Sequence, residues 1–266
     1  MLAKESHPAM SDRSVEDRVT LMHSAVTETG GGIPVSDPQL PPLAAPALGI
    51  DRLDAAAKRA LDIAASLLML IALLPVIAIV ALLVRLDSPG PAFFRVRRIG
   101  RNGRELMMVK FRKMHDDAAG IALTTHGDAR LTRIGAFLAR TKLDELPQLW
   151  HVLRGDMSLV GPRPETVDFV VHHRDEYNEI LSVRPGLVGF SQIAFLTEGR
   201  ILNEHDPLHH YVSAILPQKV SLDVMYARER TVWLDVKILA WSLVAVLLRR
   251  EVAVDRGTGR MNLRKR

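Results

Sequence analysis

The amino-acid sequence predicts a mainly helical α+β protein held at a membrane, and three observations carry that expectation. The 22 residues from Ile63 to Val84, IAASLLMLIALLPVIAIVALLV, contain no charge, and that length matches a hydrocarbon core. Gly100, Asn102 and Gly103 separate two short extended runs, AFFRVRRI and RELMMVKF, which is the pattern of a small β-hairpin. Further on, Leu146, Leu149, Trp150 and Leu153 recur at helical spacing, and WLDVKILAWSLVAVLL from Trp233 to Leu248 reads as an interfacial or buried helix.

The chain has 266 residues, 48% of them hydrophobic, enough for a substantial core and one or two domains. It has no cysteine, which excludes disulfides, thiolate metal sites and a cysteine nucleophile. A net charge of +5 favours an anionic partner: nucleic acid, a lipid surface or a phosphorylated small molecule. Nucleic acid is the poorest of these, because an uncharged run of this length and 5% aromatic residues without a stacking pattern do not make a nucleic-acid groove.

In chain order, residues 1–50 mix Ser, Asp, Gly and Pro without a helical or strand period and read as a mobile arm. Residues 51–87 carry the apolar run. On length alone it is a single spanning helix, but Pro75 sits inside it, removes one backbone donor and frees the carbonyl of Ile71, so a break is expected there. Basic residues flank both ends, Arg52, Lys58 and Arg59 before and Arg85, Arg95, Arg97 and Arg98 after. Both ends are therefore drawn to the same side, and a hairpin-like re-entrant helix is the second reading. Pro89, Gly90 and Pro91 end the segment.

The hairpin follows. Eight Lys or Arg residues lie between Arg95 and Lys113, and anionic headgroups account for most of them. Alternation places Lys110 and Arg112 on one face of an extended strand, where they are suited to phosphate contacts.

In LDELPQLWHVLRG, Asp144 can cap a helix, Glu145 favours its positive end, Pro147 is tolerated in the first turn and Gly155 stops it. The same two carboxylates can instead divide chemical labour in a polybasic setting. One attacks phosphorus while the other holds a metal. Arg163 stands between Pro162 and Pro164, which restrict its backbone and fix where its guanidinium points. His205 and His209, one helical turn apart, lack a ligand set and read as a solvated face. Residues 251–266 form a basic tail, mobile or drawn to lipid.

Taken together, KRALD before an apolar run with an internal proline, SPGPAFFRVRRIGRNG, VKFRKM, GDARLTRIGAFL, LDELPQL, GDMSLVGPRPE, RPGLVGFSQ and LDVMYARER resemble the bacterial sugar transferase family, the monotopic polyprenyl-phosphate phosphoglycosyl transferases. The resemblance runs from about Lys58 to Leu248. It implies a monotopic fold with a proline-broken re-entrant helix, interfacial amphipathic helices and a small β-hairpin, at the cytoplasmic face of the bacterial inner membrane. It implies a catalytic domain over residues 88–250 that passes a sugar 1-phosphate from a UDP-sugar to undecaprenyl phosphate and releases UMP. In this chemistry Asp144 is the nucleophile of an aspartyl phosphosugar intermediate and Glu145 holds Mg2+. Lys110, Arg112 and Arg163 face phosphates or the nucleotide, and Asp223 of LDVMY supports the site. Inner-membrane lipids and a second copy of the chain, as a homodimer, are the other partners implied.

Three features depart from the family's usual pattern. Leu74 stands before the proline where many relatives carry serine, Lys142 and Ala139 replace a serine and an arginine ahead of the aspartate, and PGLVG stands for PGITG. A catalytically silent scaffold that lays its basic face on anionic lipid is the alternative from a different functional class.

Overall fold

The computed structural model describes residues 52–115, 118, 123–202, 205–248 and 250–264; the arm expected over residues 1–50 lies outside them. Helix α1 spans Arg52–Asp87, 36 residues. Helical backbone continues through Pro75. Side chains on both sides of the proline, Leu73 against one core cluster and Val76 and Ile77 against another, fix the helix where its hydrogen-bond ladder loses a rung.

The inward stripe of α1 runs through Asp62, Ser66, Met69, Leu73, Val76, Val80 and Val84 at the 3.6-residue period, all buried or packed on the core. On the opposite stripe Leu68, Ile71 and Leu74 are 69%, 66% and 63% exposed.

Polar contacts fasten both ends of α1 to the rest of the molecule. Near its start, Lys58 Nζ reaches Asp235 Oδ2 at 2.5 Å and the Arg59 guanidinium donates to the carbonyls of Val152 and Leu153 at 2.7 and 2.8 Å. Asp62 Oδ1 accepts from Ser158 Oγ and Leu159 N. At the far end Asp87 Oδ2 accepts from Ile134 N at 2.9 Å.

Strands β1 (Phe93–Ile99) and β2 (Glu105–Phe111) form the antiparallel hairpin anticipated from the glycines. Its turn at Arg101–Gly103 places Asn102 at φ 59°, a left-handed conformation that asparagine tolerates. Helix α2 (Arg133–Thr141) starts at Thr132, whose Oγ1 accepts from Gly135 N at 2.9 Å. Gly135 lies so close to β2's exit that a Cβ there would come within 1.8 Å of the Lys113 carbonyl oxygen. A 3-10 turn, Leu143–Gln148, leads into α3 (Leu149–Arg154), which Gly155 ends at φ 95°.

Strand β3 (Ser158–Val160) pairs in parallel with β4 (Gly186–Val188). Where these strands separate, a Cβ on Gly186 would meet Gly161 N at 2.0 Å, so the glycine of PGLVG is needed for backbone approach. Between and after them lie α4 (Val167–His172), α5 (Arg174–Ile180), α6 (Phe190–Ala194), α7 (Glu198–Ile201) and α8 (Pro207–His210). A π-helical turn, Tyr211–Ile215, continues into α9 (Leu216–Glu229), and α10 (Val232–Leu248) follows.

The histidine segment is more deeply packed than expected, with Leu208, Tyr211, Val212 and Ile215 buried. No group of three or more potential metal-ligating side chains occurs among the described residues. α10 buries Asp235, Ile238 and Ala245 and exposes Trp233, Leu243 and Leu247.

The basic tail is also corrected. Residues beyond 250 fold back as a hairpin of β5 (Val252–Val254) and β6 (Met261–Leu263), with Val252 buried in the main core and Arg264 paired to Glu251 at 2.6 Å. Alternating Val252, Val254, Met261 and Leu263 give this segment an apolar side that a count of its charges overlooks.

Candidate active site

Asp144 and Glu145 lie in the 3-10 turn between α2 and α3. The turn begins at Lys142, a left-handed residue with φ 60°, and no side chain caps it; Asp144 is therefore inside the turn and not the helix cap expected from its spacing. Leu143 and Leu146, flanking the carboxylates, pack against Val80, Val84, Phe111 and Leu138. The acidic pair is thus flanked by apolar pegs in a cluster shared with the far half of α1, β2 and α2.

The two carboxylates have different surroundings. Asp144 is 3% exposed and its Oδ1 has no hydrogen-bond partner among the described residues. Burial, and then the neighbouring charge of Glu145, push the Asp144 carboxyl above its ordinary pKa, against the pull of Lys113, Lys110 and Lys142. Glu145 Oε1 accepts from Lys110 Nζ at 2.7 Å and from Arg163 at 3.1 Å. Burial opposes its charge as well, but these two cations outweigh burial and hold Glu145 well below the usual carboxylate range. Burial in turn draws the Lys110 ammonium down to about 8, even with Glu145 beside it.

Arg163 reaches Glu145 from the end of β3. Gly161 N donates to Val188 O at 2.9 Å and Gly186 N to Pro162 O at 2.8 Å, so GPRP is bonded to β4 on both sides of its first proline. Asp223, on α9, lies beneath this segment; the Ser191 hydroxyl and the Arg163 backbone amide act on its carboxyl, and Oδ1 has no hydrogen-bond partner among the described residues. Burial raises its pKa to about 7.

The structure brings together Asp144, Glu145, Lys110 and Arg163, with Asp223 behind them, but not Arg112. The Arg112 guanidinium donates to the carbonyl oxygens of Pro89 and Ser88, the latter at 2.7 Å, and to Ser88 Oγ at 3.0 Å, closing the end of α1. β2 stops at Phe111, so strand alternation no longer governs where Arg112 points.

A buried cluster behind Arg163 was not anticipated. Lys219 Nζ lies 3.2 Å from Glu165 Oε1, 3.1 Å from Glu198 Oε2 and 2.8 Å from the Tyr211 hydroxyl, which donates to Glu165 Oε1 at 3.1 Å. Burial opposes the charge on Lys219, but its anionic partners keep it protonated. One sequence signal marked it, a lysine among Leu216, Val220 and Leu222 on the apolar side of a helix.

Two adjacent carboxylates, one with an unsatisfied buried oxygen and the other contacted by cations only through Oε1, are oxygen ligands suited to Mg2+. They form no complete cage. A hard cation at this place would take its remaining ligands from water and from a phosphorylated substrate.

The family described as bacterial sugar transferase matches residues 53–249. The chain is 37% identical over 228 residues to a UDP-glucose:undecaprenyl-phosphate glucose-1-phosphate transferase of Escherichia coli (strain K12), covering 82% of this chain and 44% of that protein. It is 37% identical over 195 residues to a protein of the same name from Caulobacter vibrioides, covering 71% and 69%. It is 36% identical over 206 residues to the exopolysaccharide production protein PSS of Rhizobium leguminosarum bv. phaseoli, covering 74% and 98%. The chain thus spans less than half of the Escherichia coli relative and nearly all of the Rhizobium one.

Proposed function

Because the chain belongs to the bacterial sugar transferase family, we propose that its buried carboxylate pair transfers a sugar 1-phosphate from a UDP-sugar to undecaprenyl phosphate, with release of UMP. The observation that carries this reading is Asp144, a buried carboxylate with an unpaired oxygen next to a cation-bound Glu145. In the first step an Asp144 oxygen bonds to the phosphorus that bears the sugar. The bond from that phosphorus to the bridging oxygen breaks, and its electron pair leaves with UMP. In the second step an oxygen of undecaprenyl phosphate bonds to the same phosphorus and the Asp144 carboxylate departs unchanged. No net proton is needed in either step.

Lys110 and Arg163 hold the diphosphate, and Asp223 supports the backbone of Arg163. Glu145 is the residue that would hold Mg2+, whose chemistry when bound is to neutralise diphosphate charge. Arg112 has no part in this reading; its role is to close α1. The reading places the protein at the cytoplasmic face of the inner membrane, with the outer stripe of α1 in lipid and both of its ends on the same side. The attachment of both ends to one body supports this, since a helix fastened so cannot deliver them to opposite sides of a bilayer. The names of two relatives point to glucose as the first sugar to assay.

The test is UMP release from a panel of UDP-sugars by the full chain in liposomes containing polyprenyl phosphate and Mg2+. Asp144→Asn is expected to lower turnover on the order of 10³-fold or more while membrane association persists. Turnover retained in that variant would remove Asp144 as nucleophile. A wild-type protein that releases no UMP from any UDP-sugar would instead favour the scaffold.

A further inference from the structure

Arg98 is a partly buried guanidinium that makes no hydrogen bond or ion pair with any described residue, and its Nε is closed off from water. A buried cationic donor without a partner is costly, so its retention calls for a ligand or a strain that the structure does not otherwise explain. Register decides where it points. Phe94, Val96 and Arg98 share one face of β1, opposite Lys110, Met108 and Leu106 of β2, and Leu106 and Met108 are core residues. Arg98 and Lys110 therefore project from the same inward face of the hairpin.

The next residue, Ile99, donates its backbone N–H to the Glu165 carbonyl at 2.9 Å, which fixes this end of β1 against the segment that carries Arg163. Burial lowers the pKa of Arg98, and Glu165, Arg163, Tyr211 and Glu145 are the groups whose charges act on it. The Glu165 carboxylate does not pair with it; Glu165 Oε1 accepts from Lys219 and Tyr211. The charges that act on Asp144 are those of Glu145, Lys113, Lys110 and Lys142. Cations thus extend from the nucleophile through Lys110 and Arg163 to Arg98.

Resting on the transferase reading, we propose that Arg98 is a further substrate-binding residue, whose guanidinium takes the phosphate that leaves with the nucleoside while Lys110 and Arg163 hold the phosphate under attack. A guanidinium suits this place because it offers two parallel donors to one phosphate and stays charged when buried. As the bridging bond breaks, charge grows on the departing phosphate, and a fixed donor there strengthens in the transition state.

The experiment uses the full chain in detergent, with UDP as binding probe and UMP release as activity. Arg98→Gln is expected to melt, without ligand, at or above the wild-type temperature, because it removes a buried donor, Nε, that has no partner. It should lose most of the thermal shift that UDP confers and fall on the order of 10²-fold in kcat/KM, with kcat carrying a share of the loss. Arg98→Lys should fall between the two, and Arg97→Ala, which breaks only an exposed pair with Glu105, should match wild type. The inference is overturned if Arg98→Gln keeps the UDP shift and turnover. It is also overturned if the unliganded variant melts several degrees lower with its UDP shift intact, which would mark a structural arginine. A wild-type protein that neither binds UDP nor releases UMP overturns the transferase reading itself, and this proposal with it.

Discussion

Lys110 sets the alkaline limit of the site. Burial brings its ammonium down to about 8, so it loses its proton, and its hold on Glu145, as pH rises through that value. Asp144 works in the other direction. Its raised pKa means that the ionised nucleophile becomes available only above the ordinary carboxylate range. The rate of UMP release should therefore rise with pH as Asp144 ionises and fall through about pH 8. A pH profile of kcat/KM for Lys110→Arg should lack the alkaline fall, since arginine keeps its charge there. At this scale the sequence was informative wherever chemistry and chain order coincide. Asp144, Glu145 and Arg163 lie in short motifs whose residues meet. Arg112 lies one residue beyond the end of β2, where strand alternation no longer sets a side chain's direction. Lys219 escaped notice because its partner Glu165 is 54 positions away, and only folding makes them neighbours. Arg98 stands in a row of arginines whose outward members, Arg95 and Arg97, are exposed.

Among the elements, α1 depends most on a few buried polar contacts. Lys58 neutralises Asp235, which is 1% exposed and also accepts from the Tyr226 hydroxyl at 2.7 Å. Lys58→Met leaves that carboxylate buried without its cation and should destabilise the protein by about 3 kcal/mol, read as a lower temperature of thermal inactivation in detergent. Lys58→Met combined with Asp235→Asn should recover part of the loss, because the stranded charge is gone. The hairpin was legible in advance, its two strands and their turn being spelled out by glycines and alternation within 19 residues, from Phe93 to Phe111. The inward face of α1 was not, since a run without charge has no polar side to reveal its orientation. Asp62 and Ser66, one turn apart at the beginning of the buried stripe, were the available mark. At Pro75 the helical backbone is continuous, and the side chains before and after the proline pack on different core clusters.

For the molecule as a whole, the arrangement of α1 makes a topological claim that labelling can decide. Cysteines introduced one at a time at Ala56 and Arg104, both exposed and on either side of the apolar stretch, should react with an impermeant reagent from the same face of sealed inner-membrane vesicles. Labelling from opposite faces would require a spanning helix. The apolar surface that would meet lipid includes more than α1, since Trp233, Leu243 and Leu247 of α10 are 65%, 61% and 70% exposed. A 36-residue helix has about 54 Å of helical rise and is about 10 Å wide. In the proposed placement its exposed stripe would sit in a single leaflet and would crowd the lipids of that leaflet and none of the other, so the bilayer beneath it would bow toward the protein. Tightly curved membrane, whose outer lipids are already spread apart, is then the cheaper place for this protein to settle, and its own accumulation would help to create such places.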